Sequence, residues 1–132
     1  MNTEIFTWLT IESETLTVEQ MSTLDTPPDM TWRIGDAVRD TRIVRRRNGI
    51  AYGSSTHPRN DPSLEDGISA VLAMLTQGDK LKLRQMCGVE ITLHVAMYSS
   101  CRLAISLSPR VLGEILSVGA WLDVDTYVID DD

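Results

Sequence analysis

Two histidines, two cysteines and a pair of carboxylates one residue apart are the groups in this chain whose types could do chemistry. His57 and His94 are the sole candidate bases for a Ser-His-Asp or Cys-His arrangement, and neither stands in a nucleophile motif. The even spacing of Cys87, His94 and Cys101 invites a metal reading. Zinc sites, however, draw paired ligands from a tight turn, and here Cys101 should point inward while His94 points outward, so no metal is expected. Asp123 and Asp125 flank Val124 and would share one face of a strand, about 6–7 Å apart. That separation suits a divalent cation or an acid–base pair, but no phosphate loop or further ligand cluster accompanies it, and a solvated strand face explains it as well. No cofactor is implied, and a non-enzymatic protein is the expectation.

A second set of residues is specific without being reactive. Trp32 and Arg33 stand side by side before Gly35-Asp36, between the breaker Pro27-Pro28 and a basic segment, Arg42–Arg47. Glycine permits a bend there and aspartate can hold a turn.

These residues need elements to position them. Ile5 to Glu12 alternates as a strand, with Ile5, Thr7, Leu9 and Ile11 on one face. Thr17 and Gln20 have capping-box spacing at the start of a short helix. Asn48-Gly49 between extended runs predicts a hairpin of Arg42–Arg47 with 50–55. Ser63 caps a helix with Leu64, Ile68, Val71, Leu72 and Leu75 at helical spacing; Gly78 and Asp79 should end it, with a short turn or helix following as far as Gly88. Val89 to Met97 alternates cleanly, and Cys101 to Leu107 should return beside it as a second hairpin. Ser108-Pro109 opens a helix closed by Gly119, and a last strand runs from about Trp121 to Ile129 before the acidic tail, residues 130–132. The order β-α-β-β-α-β-β-α-β describes one α+β domain over residues 1–132: a mostly antiparallel sheet with helices on one face, a ferredoxin-like relative. Its outward face would then display Phe6, Trp8, His94, Asp123, Asp125 and Tyr127, a mixture suited to protein contact unless the Arg-rich hairpin or the Trp32 segment folds across it.

Composition narrows the partners. The chain has 132 residues, 42% hydrophobic and 23% charged, enough for one core, and no apolar run nears the roughly 20 residues of a membrane span. The start, Met1-Asn2-Thr3-Glu4, lacks the pattern of a secretory leader, which makes the cytoplasm the default compartment. Both cysteines are expected reduced and buried. The net charge of −7 is uneven: residues 1–32 and 111–132 carry only acids, whereas 33–59 hold seven arginines against two aspartates. An acidic body fits nucleic acid poorly and a basic protein partner well. The arginines of 45–47 could form a nucleic-acid or phosphate patch, but a charged edge strand that resists aggregation is the favoured reading.

Taken together, Leu9-Thr10-Ile11, Thr31-Trp32-Arg33-Ile34-Gly35-Asp36, Ser63-Leu64-Glu65-Asp66 and Leu122-Asp123-Val124-Asp125-Thr126-Tyr127 resemble the bacterial domain-of-unknown-function family 4279 over about residues 5–128. The resemblance implies a small bacterial cytoplasmic protein without an established activity, and it pairs the Trp32 stretch with the last strand, which makes Trp32, Arg33, Gly35 and Asp36 a structural clasp rather than a catalytic site. Acidic proteins of this size that lack catalytic motifs often serve as immunity proteins, so the leading expectation is an immunity-type protein that binds and neutralises a toxin, with no nucleic-acid or membrane partner. The alternative is a small-molecule-binding or enzymatic domain with a pocket near Trp32 and Asp123/Asp125.

Overall fold

The computed structural model describes residues 3–53, 63–100 and 105–129. Five strands, β1 (Thr3–Ser13), β2 (Met30–Trp32), β3 (Asn48–Tyr52), β4 (Glu90–Ser99) and β5 (Trp121–Val128), form one sheet in the order β2-β3-β1-β4-β5. All neighbours are antiparallel except β4 and β5. Four helices complete the fold: α1 (Val18–Met21), α2 (Leu64–Leu72), α3 (Gln77–Gln85) and α4 (Pro109–Ser117). The chain is therefore α+β, as its pattern predicts.

Period-two alternation builds the core. Ile5, Leu9 and Ile11 of β1 and Ile91, Leu93, Val95 and Met97 of β4 face the helices. Val18 and Met21, Leu64, Ile68, Val71 and Leu72, Leu83, and Val111 and Ile115 close over them. Each methylene so buried contributes about 0.8 kcal/mol, so this layer is what holds the sheet in place. Helix starts follow the expected chemistry: the Thr17/Gln20 capping box, Ser63 accepting from Asp66 N, and Ser108 accepting from Val111 N ahead of Pro109.

Four local expectations are corrected. Asn48-Gly49 is not a turn; it opens β3, and Arg42–Arg47 is not a strand but part of a loop whose one bridge is Ala37 to Val44. The residues serve other needs: the Asn48 amide donates to Leu16 O and accepts from Ile34 N, and Trp32 lies directly across Gly49, where any Cβ would collide with the indole. β2 is the real antiparallel neighbour of β3. Second, β4 is not followed by a hairpin. It runs on to Ser99, Ile105–Ser108 are not strand, and the chain crosses over through α4 to lay β5 parallel to β4. Cys101 and residues 102–104 lie outside the described residues, as do His57 and the tail 130–132.

Third, Gly78 and Asp79 do not break a helix; Thr76 caps α3 and Asp79 is its N3 partner. Asp79 is fully buried and accepts from Asp25 N (2.7 Å), Thr26 N (3.3 Å), Thr26 Oγ1 (2.7 Å) and Thr76 N (3.1 Å), tying the segment after α1 to α3. Last, Cys87 is exposed rather than buried, because it lies past α3 in the turn at Gly88.

Candidate functional site

The face of the sheet away from the helices carries the even-numbered residues of β1 and β4 and the odd-numbered residues of β5. Register places Trp8 beside His94 and His94 beside Asp123, Ala96 beside Asp125, and Tyr98 beside Tyr127. The predicted contact residues Phe6, Trp8, His94, Asp123, Asp125 and Tyr127 are thus gathered on one surface. Two aromatic groups organise it. Trp8 stacks on His94 (centroids 5.2 Å, 11° between planes), and Tyr98 stacks on Tyr127 (4.8 Å, 14°) with Phe6 tilted against Tyr98 at 5.9 Å. Such pairs contribute about 0.5–1.5 kcal/mol beyond burial and hold the rings in fixed positions.

His94 is the most constrained polar group of this face. Its Nε2 shares a 2.8 Å hydrogen bond with Thr10 Oγ1, and its Nδ1 stands 3.8 Å from Asp123 Oδ2. Burial lowers its pKa below the usual imidazole value, against the raising influence of Asp123, Glu12 and Asp125. The ring is therefore neutral at pH 7. The sequence hydroxyl, imidazole, carboxylate has the order of an acid–base relay, but the gap to Asp123 is too long for a direct hydrogen bond. Thr10 and the Trp8 stack, rather than Asp123, orient the ring.

The Trp32 stretch sits at the opposite end of the sheet. β2 and β5 are the two edge strands, separated by β3, β1 and β4, so the expected packing of Trp32 beside the Leu122–Tyr127 strand is not what occurs. With neighbouring strands about 4.8 Å apart, the two edges are roughly 19 Å from each other. Trp32 is nonetheless buried, lying over Gly49 with the Arg45 guanidinium 4.5 Å from its ring centroid. The turn after it is held as the sequence suggests: Asp36 Oδ2 accepts from Arg33 N (2.8 Å), Asp36 N donates to Arg33 O (3.0 Å), and Gly35 adopts φ +92°. Arg33 reaches α1 through Glu19 (2.6 Å).

Beyond this turn the basic loop returns along itself, with Gly35 N donating to Arg45 O (2.9 Å) and Arg45 N to Asp36 O (2.7 Å). It overhangs the β3–β1 part of the open face. The result is a cleft of about 390 Å³ between Val38, Arg39 and Arg45 of the loop and Trp8, Thr10, Glu12, Ala51 and His94 of the sheet. Arg47 leaves the loop to bridge Glu12 and Glu90, 3.1 Å from each. The Arg-rich segment therefore covers one side of the open face and leaves the β4–β5 side bare.

Sequence reasoning missed Tyr98, Thr10 and Arg45. Tyr98 shares the parity of His94 and was lost by ending the strand at Met97, two residues early. Thr10 carries the parity of Trp8, but only the register shows that it reaches His94. Nothing in the spacing of Arg45 signals that it stacks on Trp32. Among the described residues no three His, Cys, Asp or Glu side chains are grouped to hold a metal ion, and no helix is long and apolar enough to cross a membrane.

Comparison with known families matches residues 3–129 to one described as a domain of unknown function (DUF4279). No curated protein and no solved structure matches the chain.

Proposed function

The chain belongs to the DUF4279 family, whose description assigns no activity, and we propose that it is a non-enzymatic interaction protein of the immunity type, binding a basic toxin through the bare β4–β5 side of its sheet. One observation carries this reading: that side combines the stacked Phe6–Tyr98–Tyr127 group with the exposed carboxylates of Asp123 and Asp125, none of them engaged by the arginine loop. Aromatic rings already fixed by stacking supply contact area at little entropic cost, and uncompensated acids select a cationic partner and speed its encounter. β5 is also an edge strand, and Trp121, on the same face as Asp123 and 72% exposed, extends the apolar part of the surface. Glu12 and Glu90, by contrast, are bridged by Arg47, which offsets one of their two charges. The protein acts in the bacterial cytoplasm, alongside the toxin it restrains.

Growth of cells expressing the product of a neighbouring gene, with and without this chain, tests the reading. Rescue of growth together with co-purification of a basic partner is the expected result. Toxicity unaffected by the chain for every neighbouring product would refute it.

A further inference from the structure

The cleft beneath the arginine loop adjoins the proposed partner surface at His94, but its chemistry is different. Its 390 Å³ falls within the range of about 300–1,000 Å³ typical of small-molecule sites. The floor offers the Trp8 ring, braced by its stack on His94, and next to it the small residues Ala51 and Gly53. Gly53 has φ +70°, a conformation that favours glycine, and a Cβ there would meet Thr7 O at 3.2 Å and Trp8 Cα at 3.5 Å.

The charge of the lining is positive in a chain of net charge −7. Glu12, the one acid of the lining, is already paired with Arg47 at 3.1 Å, and Arg39 and Arg45 outnumber it. Arg39 meets only the exposed Asp40, at 3.8 Å, a pair of little consequence. Arg45 spends the face of its guanidinium on the Trp32 ring and has no carboxylate within 4 Å among the described residues. Its N–H donors lie in the guanidinium plane and remain available in the fork that matches a carboxylate.

We propose that this cleft binds a small planar aromatic molecule bearing a carboxylate, with its ring against Trp8 and its carboxylate on Arg45. The aromatic wall alone would accept any flat apolar molecule; the stacked, uncommitted arginine confers the preference for an anion. Val38 and Met30 complete the apolar lining.

Calorimetric titration of the full chain with indole-3-carboxylate and with uncharged indole as probes tests the proposal. The carboxylate probe should bind saturably and at least tenfold more tightly than indole. Arg45→Gln should erase that difference while leaving the weak indole binding in place, and Trp8→Leu should weaken both probes. An Arg45→Lys variant, which keeps the charge but loses the planar fork, repeats the test should Arg45→Gln prove unstable, and should reduce the preference severalfold. No saturable binding, equal affinity for the two probes, or a carboxylate preference that survives the Arg45 substitutions in full would each overturn it.

Discussion

His94 and Asp79 show how burial acts on a single group in opposite company. His94 is pushed toward its neutral form by burial, and the three nearby carboxylates only partly offset this. Its folded pKa lies below the unfolded value of about 6.5, so the unfolded chain binds the proton more readily and this residue's share of stability, complete above about pH 6.5, is lost as pH falls through the folded pKa. An NMR titration should place its midpoint below 6.5, and Asp123→Asn, by removing an attractive charge, should lower it further. For Asp79 burial alone would raise the pKa, yet hydrogen bonds from the Thr26 side chain and from Thr76, Asp25 and Thr26 amides outweigh it and hold the carboxyl below its ordinary value. That contribution is present above about pH 4 and disappears as pH falls through the lowered pKa. Asp79→Ala should cost about 2–3 kcal/mol in urea denaturation at pH 7, because several donors lose a buried charged acceptor together. Tyr52, whose hydroxyl donates to Thr26 O at 2.8 Å, belongs to the same buried corner; burial, then the charges of Asp79 and Asp29, raise its pKa to about 12.

At the scale of elements, Gly49 decides whether β2 can close the sheet. Trp32 lies across it in the register pair Trp32 with Gly49, and the indole in turn carries Arg45. Gly49→Ala should therefore expel the indole, cost roughly 1–3 kcal/mol as an overpacked site does, and shift tryptophan emission to longer wavelength; unchanged emission and stability would show that the indole does not depend on the glycine. The same residue explains where sequence reading stopped. Strands β1, β4 and β5 and the caps at Thr17, Ser63 and Ser108 were legible because alternation and capping are local patterns. Asn48-Gly49 carries the local signature of a turn, but its actual reason is a tryptophan sixteen or more positions earlier in the chain. The hairpin expected after β4 fails for a related reason: β1 and β5 take both sides of β4, and local alternation cannot show which strands those will be. Parity was enough to collect Phe6, Trp8, His94, Asp123, Asp125 and Tyr127 on one face, since side-chain direction follows from counting. Which edge each strand takes is a property of the whole sheet, and that is why Trp32 was placed beside β5 when four strand spacings separate them.

For the molecule as a whole, the charge is arranged rather than merely negative. The arginine loop neutralises the β3–β1 side of the open face and supplies a cationic cleft, while the β4–β5 side keeps its acids. Long-range attraction of a basic partner should then weaken with salt: the Debye length falls from about 10 Å at 0.1 M to about 3 Å at 1 M, so association should slow markedly over that range while dissociation changes less. The most direct measurement is the affinity of the co-purified partner for the wild-type chain against an Asp123→Lys/Asp125→Lys variant of equal thermal stability, at low ionic strength. Loss of at least tenfold in affinity, carried mainly by the association rate, is the predicted result. An affinity unchanged by reversing both charges would contradict the assignment of the β4–β5 face as the docking surface.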